Sequence, residues 1–195
     1  AAAKLGRRFF LTPLPFKISE REKAYRAKAK RLTFQLEGAE QVAYQVGEGK
    51  NIICIHGWSG RGTQFWRIAD ELVPRGYRLT MIDAPKHGES KGKETNIIQF
   101  AKALEYWFGQ LGEVDTVIAH SLGGSAAMLA RSNGCKSKKV VSISAPTEAE
   151  LILEEFTSRL NAGERVKDAV RNYVVEITGE RLEKFTSIEL VKTQE

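Results

Sequence analysis

In Thr116-Val117-Ile118-Ala119-His120-Ser121-Leu122-Gly123-Gly124, a short apolar run ends at a serine with small residues two before it and two after it. A helical pattern starts at once, with Leu122, Ala126, Ala127, Met128, Leu129 and Ala130. This is the sequence form of a nucleophile elbow, a sharp strand-to-helix turn that leaves one serine exposed at the bend. The small neighbours are required because a bulky Cβ would clash inside so tight a turn. Ser121 is thus placed to attack an acyl carbon above a helix N-terminus that favours developing negative charge. A serine that only caps a helix is the plainer alternative. The buried strand and the small-x-Ser-x-small context favour the nucleophile, although Ala119 stands where G-x-S-x-G has its first glycine.

Acyl transfer also needs two preorganised N–H donors for the tetrahedral oxyanion. The residue after the nucleophile, Leu122, would give one, and the loop after an earlier strand, at His56-Gly57-Trp58, would give the other from the backbone of Trp58. Gly57 allows close backbone approach, and His56 is read as orienting the loop by a hydrogen bond rather than as an acid or base. Trp58 fits core packing and an acyl pocket equally. In Asp83-Ala84-Pro85-Lys86-His87-Gly88-Glu89-Ser90, the Asp, Pro and Gly suit a tight turn; His87 as base is disfavoured.

Positioning these residues requires a regular scaffold. Ser19 with Glu22 three residues on has capping-box spacing and opens a helix over residues 19–30. Residues 31–36 and 41–46 alternate apolar with polar about Gly38 and read as a hairpin. Residues 51–56 are almost continuously apolar, as in the buried centre of a parallel sheet. Helices at 63–75 and 96–111 and the elbow helix then alternate with strands at 77–82, 115–120 and 139–143. One helix between successive strands implies right-handed crossovers and a parallel sheet covered on both faces. Residues 148–192 read as two or three helices broken near Ala162-Gly163 and Thr178-Gly179. The expected organisation is a basic arm with a short helix (1–30), a core (31–147) and a helical lid or crossover (148–195).

His56-Gly57-Trp58, the Asp83 to Ser90 turn and Ala119-His120-Ser121-x-Gly123-Gly124, in this order and spacing, resemble the α/β-hydrolase superfamily. The loop from Gly57 to Phe65 is similar to that of small bacterial members. The resemblance covers residues 31–146 and implies a mostly parallel central sheet with helices on both faces, antiparallel leading strands and a helical cap after the sixth strand. It also implies a Ser-His-Asp triad that cleaves carboxylic esters or related acyl substrates through an acyl-enzyme. In its terms Ser121 is the nucleophile, Trp58 and Leu122 supply the oxyanion hole, and His56, Gly57, His120 and Gly123 support them. Lys86 departs from the usual glycine of the D-x-P-G-H-G-x-S turn.

The triad order in this fold is Ser, then acid, then His, yet His56, His87 and His120 all precede Ser121. Asp168 is the only later aspartate, and Glu148 and Glu150 are weak candidates for the acid. The favoured reading is that the acid, the histidine and the C-terminal strands lie beyond residue 195, which leaves this chain alone inactive. A non-catalytic, ligand-binding relative and an unusual base (His120 or His87) are the alternatives. His120 is a poor base, because consecutive strand residues point to opposite faces.

Composition narrows the rest. At 195 residues with 42% hydrophobic and 28% charged side chains, the chain fits one globular domain. No run approaches the ~18 apolar residues of a membrane helix, and Phe9-Phe10-Leu11, broken by Pro13 and Pro15, makes a poor signal peptide. Cys54 and Cys135 give no disulfide framework, Cys54 reads as core, and a cytoplasmic protein is expected. Residues 1–31 hold ten Lys/Arg against two Glu, a local +8 that leaves −2 for the remainder of a chain whose net charge is +6. That basicity fits a solvated helix face, or weak contact with an anionic surface; no nucleic-acid module accompanies it. A strand, a glycine-rich loop and Asp83 imitate a dinucleotide-binding unit, but the order G-x-x-G-x-G and the preceding hairpin do not fit. No metal-ligand spacing and no P-loop are found, so neither cofactor nor metal is expected, and the partner is a small acyl substrate. Phe156, Leu160, Val170, Tyr173 and Val174 could line an apolar acyl site or simply pack.

Overall fold

The computed structural model describes residues 12–159 and 161–192. The Phe9-Phe10-Leu11 cluster, the basic residues Lys4, Arg7 and Arg8, and Leu160 lie outside the described residues.

Helix α1 (Glu20–Lys28) starts at the expected capping box: Ser19 Oγ accepts from the Glu22 backbone N–H, and the Glu22 carboxylate accepts from the Ser19 backbone. Strands β1 (Lys30–Leu36) and β2 (Ala39–Val46) pair antiparallel across Glu37 and Gly38, both in the left-handed region. Strand β3 (Lys50–Ile55) lies at the sheet centre, parallel to β4 (Tyr77–Asp83) on one side and to β5 (Val114–His120) on the other. Strand β6 (Ser137–Ile143) pairs parallel with β5, and β2 pairs antiparallel with β4. The order is β1-β2-β4-β3-β5-β6. A mostly parallel sheet with an antiparallel leading hairpin is therefore present.

The continuous apolar run of β3 has a direct cause. Ile53 and Ile55 face a cluster with Phe100, Ala101, Leu104 and Trp107 of helix α3 (Ile97–Leu111) and Ala126, Ala127 and Ala130 of helix α4 (Leu122–Ser132). Ile52 and Cys54 face the opposite cluster, with Tyr25 of α1, Phe65, and Ala69 of helix α2 (Trp66–Leu72). A strand covered on both faces cannot alternate with polar residues. Cys54 is wholly buried, and burial pushes its thiol up. Cys54 and Cys135 are both free.

One expected element is broken. Residues 63–75 form a 3-10 turn at Gly62–Phe65, the short α2, and a second 3-10 turn at Val73–Arg75. Pro74 brings no N–H to continue a helix, and Gly76 closes the segment at φ 82°.

After β6 come α5 (Ala149–Arg159), α6 (Glu164–Thr178) and α7 (Ser187–Lys192). The breaks fall where expected, at Gly163 and Gly179. Lys167 and Arg171 of α6 pair with Glu150 of α5. The Tyr173 hydroxyl donates to Glu94 at 3.3 Å, and Ser187 donates from N–H and Oγ to the Pro146 carbonyl. Among the described residues, no helix is long and apolar enough to cross a membrane.

Candidate active site

Ser121 sits between β5 and α4 at φ 50°, ψ −124°. A non-glycine side chain in the left-handed half of φ is costly and persists only where the surroundings impose it. Here they do. The Ser121 N–H donates to the Ile143 carbonyl at 2.9 Å, and its own carbonyl accepts from Gly124 N–H at 2.8 Å. Its neighbours are small for a visible reason. A Cβ on Gly123 would lie 2.5 Å from the His56 carbonyl oxygen, and one on Gly124 would lie 2.6 Å from Ala145 Cβ. Ala119, in the extended strand, is fully buried, and its methyl group is accommodated.

The loop after β3 packs directly on this turn. A Cβ on Gly57 would meet Ser121 Cβ at 2.7 Å and His120 Nδ1 at 3.1 Å. Gly57 thus brings its backbone, and with it the neighbouring Trp58, against the serine. The His120 side chain is exposed beside Gly57. Leu122 is the first residue of α4, half-buried behind Ser121.

His56 is buried, and both ring nitrogens are engaged: Nδ1 lies 2.7 Å from the Gly57 carbonyl, and Nε2 accepts from Ala84 N–H at 3.0 Å. This assigns the Nδ1–H tautomer. Burial, reinforced by nearby His87, holds its pKa well below the ordinary histidine value. Such a neutral, doubly bonded ring orients two loops and has no free nitrogen for proton transfer. His87 is used in the same way. Its Nδ1 lies 3.0 Å from the Pro85 carbonyl, its Nε2 accepts from Ser59 N–H at 3.0 Å, and burial lowers it to about 4. The Trp58 ring packs edge-on against it, with centroids 5.4 Å apart.

Asp83 does more than shape a turn. Its buried carboxylate accepts from Gly62 N–H at 2.7 Å and from Glu89 N–H at 2.8 Å, tying the loops after β3 and β4 together. Burial raises it to about 6 despite those two donors. Ser90 adds Oγ–H to the Asp83 carbonyl at 2.6 Å and accepts from Val42 N–H. A Cβ on Gly88 would fall 2.0 Å from Asp83 Oδ2, so glycine is obligatory there. Lys86 takes φ 64°, the left-handed conformation in which glycine is the unstrained residue.

Two of the expected acid candidates are engaged in surface pairs. Glu150 is exposed and bonded to Lys167 and Arg171, and those partners hold its carboxyl below the ordinary value. Asp168 is exposed and pairs with Arg171 at 2.8 Å. Of the residues suggested for an acyl pocket, Val170, Tyr173 and Val174 are buried in packing around α6, and Phe156 is half-buried.

Sequence reading missed Arg61. It is buried beside the loop, with Nε 2.7 Å from Glu22 Oε1. An arginine in a glycine-rich loop carries no signal of burial. The only available hint was that Glu22 already belonged to a capping box.

A profile for the family described as alpha/beta hydrolase fold matches residues 50–194. The chain belongs to that family. A stretch of 86 residues is 29% identical to the pimeloyl-[acyl-carrier protein] methyl ester esterase of Xanthomonas oryzae pv. oryzae, covering 43% of this chain. The chain thus spans about a third (32%) of the length of that curated relative. An esterase from Exiguobacterium antarcticum superposes with a TM-score of 0.57 at 16% identity, covering 85% of this chain and 74% of that one. The thioesterase domain from the curacin biosynthetic pathway superposes with a TM-score of 0.57 at 18% identity, covering 84% and 67%. At such identities the likeness speaks for the fold.

Proposed function

We propose that this chain carries the nucleophile of a serine hydrolase that cleaves a carboxylic ester or related acyl substrate through an acyl-enzyme on Ser121. The observation that carries the reading is the strained elbow itself: Ser121 at φ 50°, pinned between β5 and α4 with Gly57 packed against it. In this reading Ser121 Oγ attacks the acyl carbon while its proton passes to a histidine base. The oxyanion is met by the backbone N–H groups of Trp58 and Leu122, and the positive end of the α4 dipole favours it. The tetrahedral intermediate collapses, the leaving alcohol or thiol takes the proton, and water then hydrolyses the acyl-enzyme. His56 and His87 do not serve as that base, since each has both ring nitrogens engaged. Residues 148–195 act as the cap over the acyl site. The ester-cleaving activity in the name of the Xanthomonas relative supports an ester as substrate.

The same engaged histidines favour a second reading, a binding protein on this fold without turnover. Labelling the natural protein with a fluorophosphonate separates the two. The hydrolase reading expects a covalent adduct on Ser121 that Ser121→Ala abolishes. A natural protein that has a later histidine and stays unlabelled would leave the binding protein. Residues 1–195 alone are expected to hydrolyse esters no faster than their Ser121→Ala variant, because an unassisted serine is a weak nucleophile.

A further inference from the structure

The segment from Thr12 to Lys28 lies ahead of the sheet, and nothing in the chemistry above uses it. Yet several of its contacts reach the loops after β3 and β4, the first of which packs against Ser121. Lys86 Nζ donates to Thr12 Oγ1 at 3.2 Å. Leu14 N–H donates to Ser59 Oγ at 3.1 Å, and Ser59 N–H donates in turn to His87 Nε2. Arg61 gathers the segment: Nη1 donates to the Phe16 carbonyl at 3.0 Å, and Nη2 to the Lys17 carbonyl at 3.1 Å. Its guanidinium also pairs with the Glu22 carboxylate, Nε to Oε1 at 2.7 Å and Nη2 to Oε2 at 3.3 Å. Arg61 and Glu22 are 5% and 6% exposed, so the pair is shielded from water.

A buried guanidinium with a bidentate carboxylate is costly to desolvate and holds only one geometry well. Glu22 is also fixed from its own side, because Ser19 N–H and Oγ–H both donate to Oε2. Burial alone would raise the Glu22 carboxyl; the hydrogen bonds from Arg61 and Ser19 outweigh it and hold it below the ordinary value. The cap of α1 therefore presents a rigid anion to Arg61. Arg61 in turn closes the five-residue loop whose other end is Gly57, the residue packed against Ser121. The same loop is also held by Gly60 N–H to the Gly57 carbonyl at 3.0 Å, Ser59 N–H to His87 Nε2 and Gly62 N–H to Asp83.

We infer that Glu22 and Arg61 are positioning residues: the ion pair makes the amino-terminal helix a brace that sets the Gly57–Trp58 backbone against Ser121. This rests on the proposed hydrolase for its catalytic consequence, but not for its geometric one. An oxyanion donor misplaced by about 1 Å costs on the order of 100-fold in rate, while ground-state binding changes little. Helix α1 is thereby tied to turnover through a residue that touches no substrate.

Two measurements test the inference separately from the function. In residues 1–195, Glu22→Gln keeps the shape of the side chain and its acceptor oxygen for the Ser19 cap but removes the charge. Backbone amides of residues 58–62 are expected to exchange with deuterium at least about tenfold faster, with those of β5 and α4 unchanged, as expected for local opening. Lys23→Gly is the control for mere helix stability; it lowers the melting temperature and leaves exchange at 58–62 within about twofold, since the Lys23 side chain pairs with Glu20 rather than with the Glu22–Arg61 pair. In the natural protein, Glu22→Gln and Arg61→Met are expected to lower kcat for a chromogenic ester on the order of 10- to 100-fold with KM within about twofold, the pattern of a lost transition-state contact. Arg61→Lys is expected to recover part of the rate, because it restores the charge without the fork. Unchanged exchange at 58–62 in Glu22→Gln overturns the brace. So does faster exchange with kcat untouched in an enzyme whose turnover depends on Ser121. Faster exchange in a natural protein with no Ser121-dependent turnover upholds the brace and refutes the hydrolase instead.

Discussion

The loops that meet at Ser121 and the helices that follow β6 are held by opposite means. Around Ser121, polar groups far apart in sequence are buried and joined: His56 to Ala84, His87 to Ser59, Asp83 to Gly62, Arg61 to Glu22. Ser59, Lys86 and Ser121 take left-handed φ there, as Asn161 does among the later helices. Beyond β6, Lys167 and Arg171 hold Glu150, Glu164 and Asp168 in pairs whose acids are roughly half exposed or more. Leu151, Val175 and Ile177 also face outward there, as do Val141 and Ile143 on β6. Buried hydrogen bonds between distant loops fix positions to a fraction of an ångström, because breaking one strands its partner away from water. Exposed ion pairs are screened and individually weak. The first region is fixed by buried bonds, the second by exposed and individually weak ones.

Three measurements would break or sharpen this contrast. The largest effect is expected from Gly123→Ala, whose methyl group would fall 2.5 and 2.7 Å from two backbone carbonyl oxygens that cannot yield easily. We expect a loss of about 3 kcal/mol or more, the scale of overpacking against backbone, read from the urea midpoint. An unchanged midpoint would mean that the elbow is not closely packed.

Acid should act next, and through the first region. Burial depresses His56 and His87, His87 to about 4, and raises Asp83 to about 6. Between pH 6.5 and 5 the unfolded chain protonates both histidines before the folded one, so the fold weakens as pH falls. Folded Asp83 takes up its proton earlier than the unfolded aspartate, which opposes this. Two against one leaves unfolding coupled to uptake of about one proton, or ~1.4 kcal/mol lost per pH unit from these groups. His87→Gln should flatten that decline; a slope identical to that of the unaltered chain would refute the assignment of a neutral, buried His87.

The smallest effect is expected from Arg171→Met. Despite its several acidic partners, we expect only a marginal shift of the urea midpoint, shrinking further in about 0.5 M salt. A loss as large as that of Gly123→Ala would erase the contrast.

Much of the fold was legible in the chain. The 2-residue alternation of β1, the unbroken apolar β3 and the spacing of glycines about Ser121 each reflect a local steric or burial demand, and each is met. Strand β2, expected to be half-buried, is instead covered on both faces from Gln41 to Tyr44, because it lies inside the sheet between β1 and β4. The helix expected over residues 63–75 was misread because apolar spacing outweighed Pro74. Roles for Glu150 and for Val170, Tyr173 and Val174 could not be read, since surface pairing and pocket lining share one sequence pattern.

The sequence by itself determined the elbow, the order of strands and helices, and the turn at Asp83 to Ser90, because these depend on periodicity and on which residues a tight turn admits. Only the tertiary structure decided what the histidines do and that Arg61 reaches Glu22. Those outcomes depend on which polar atoms meet away from water across 28 and 39 positions of chain, and no local pattern encodes such meetings.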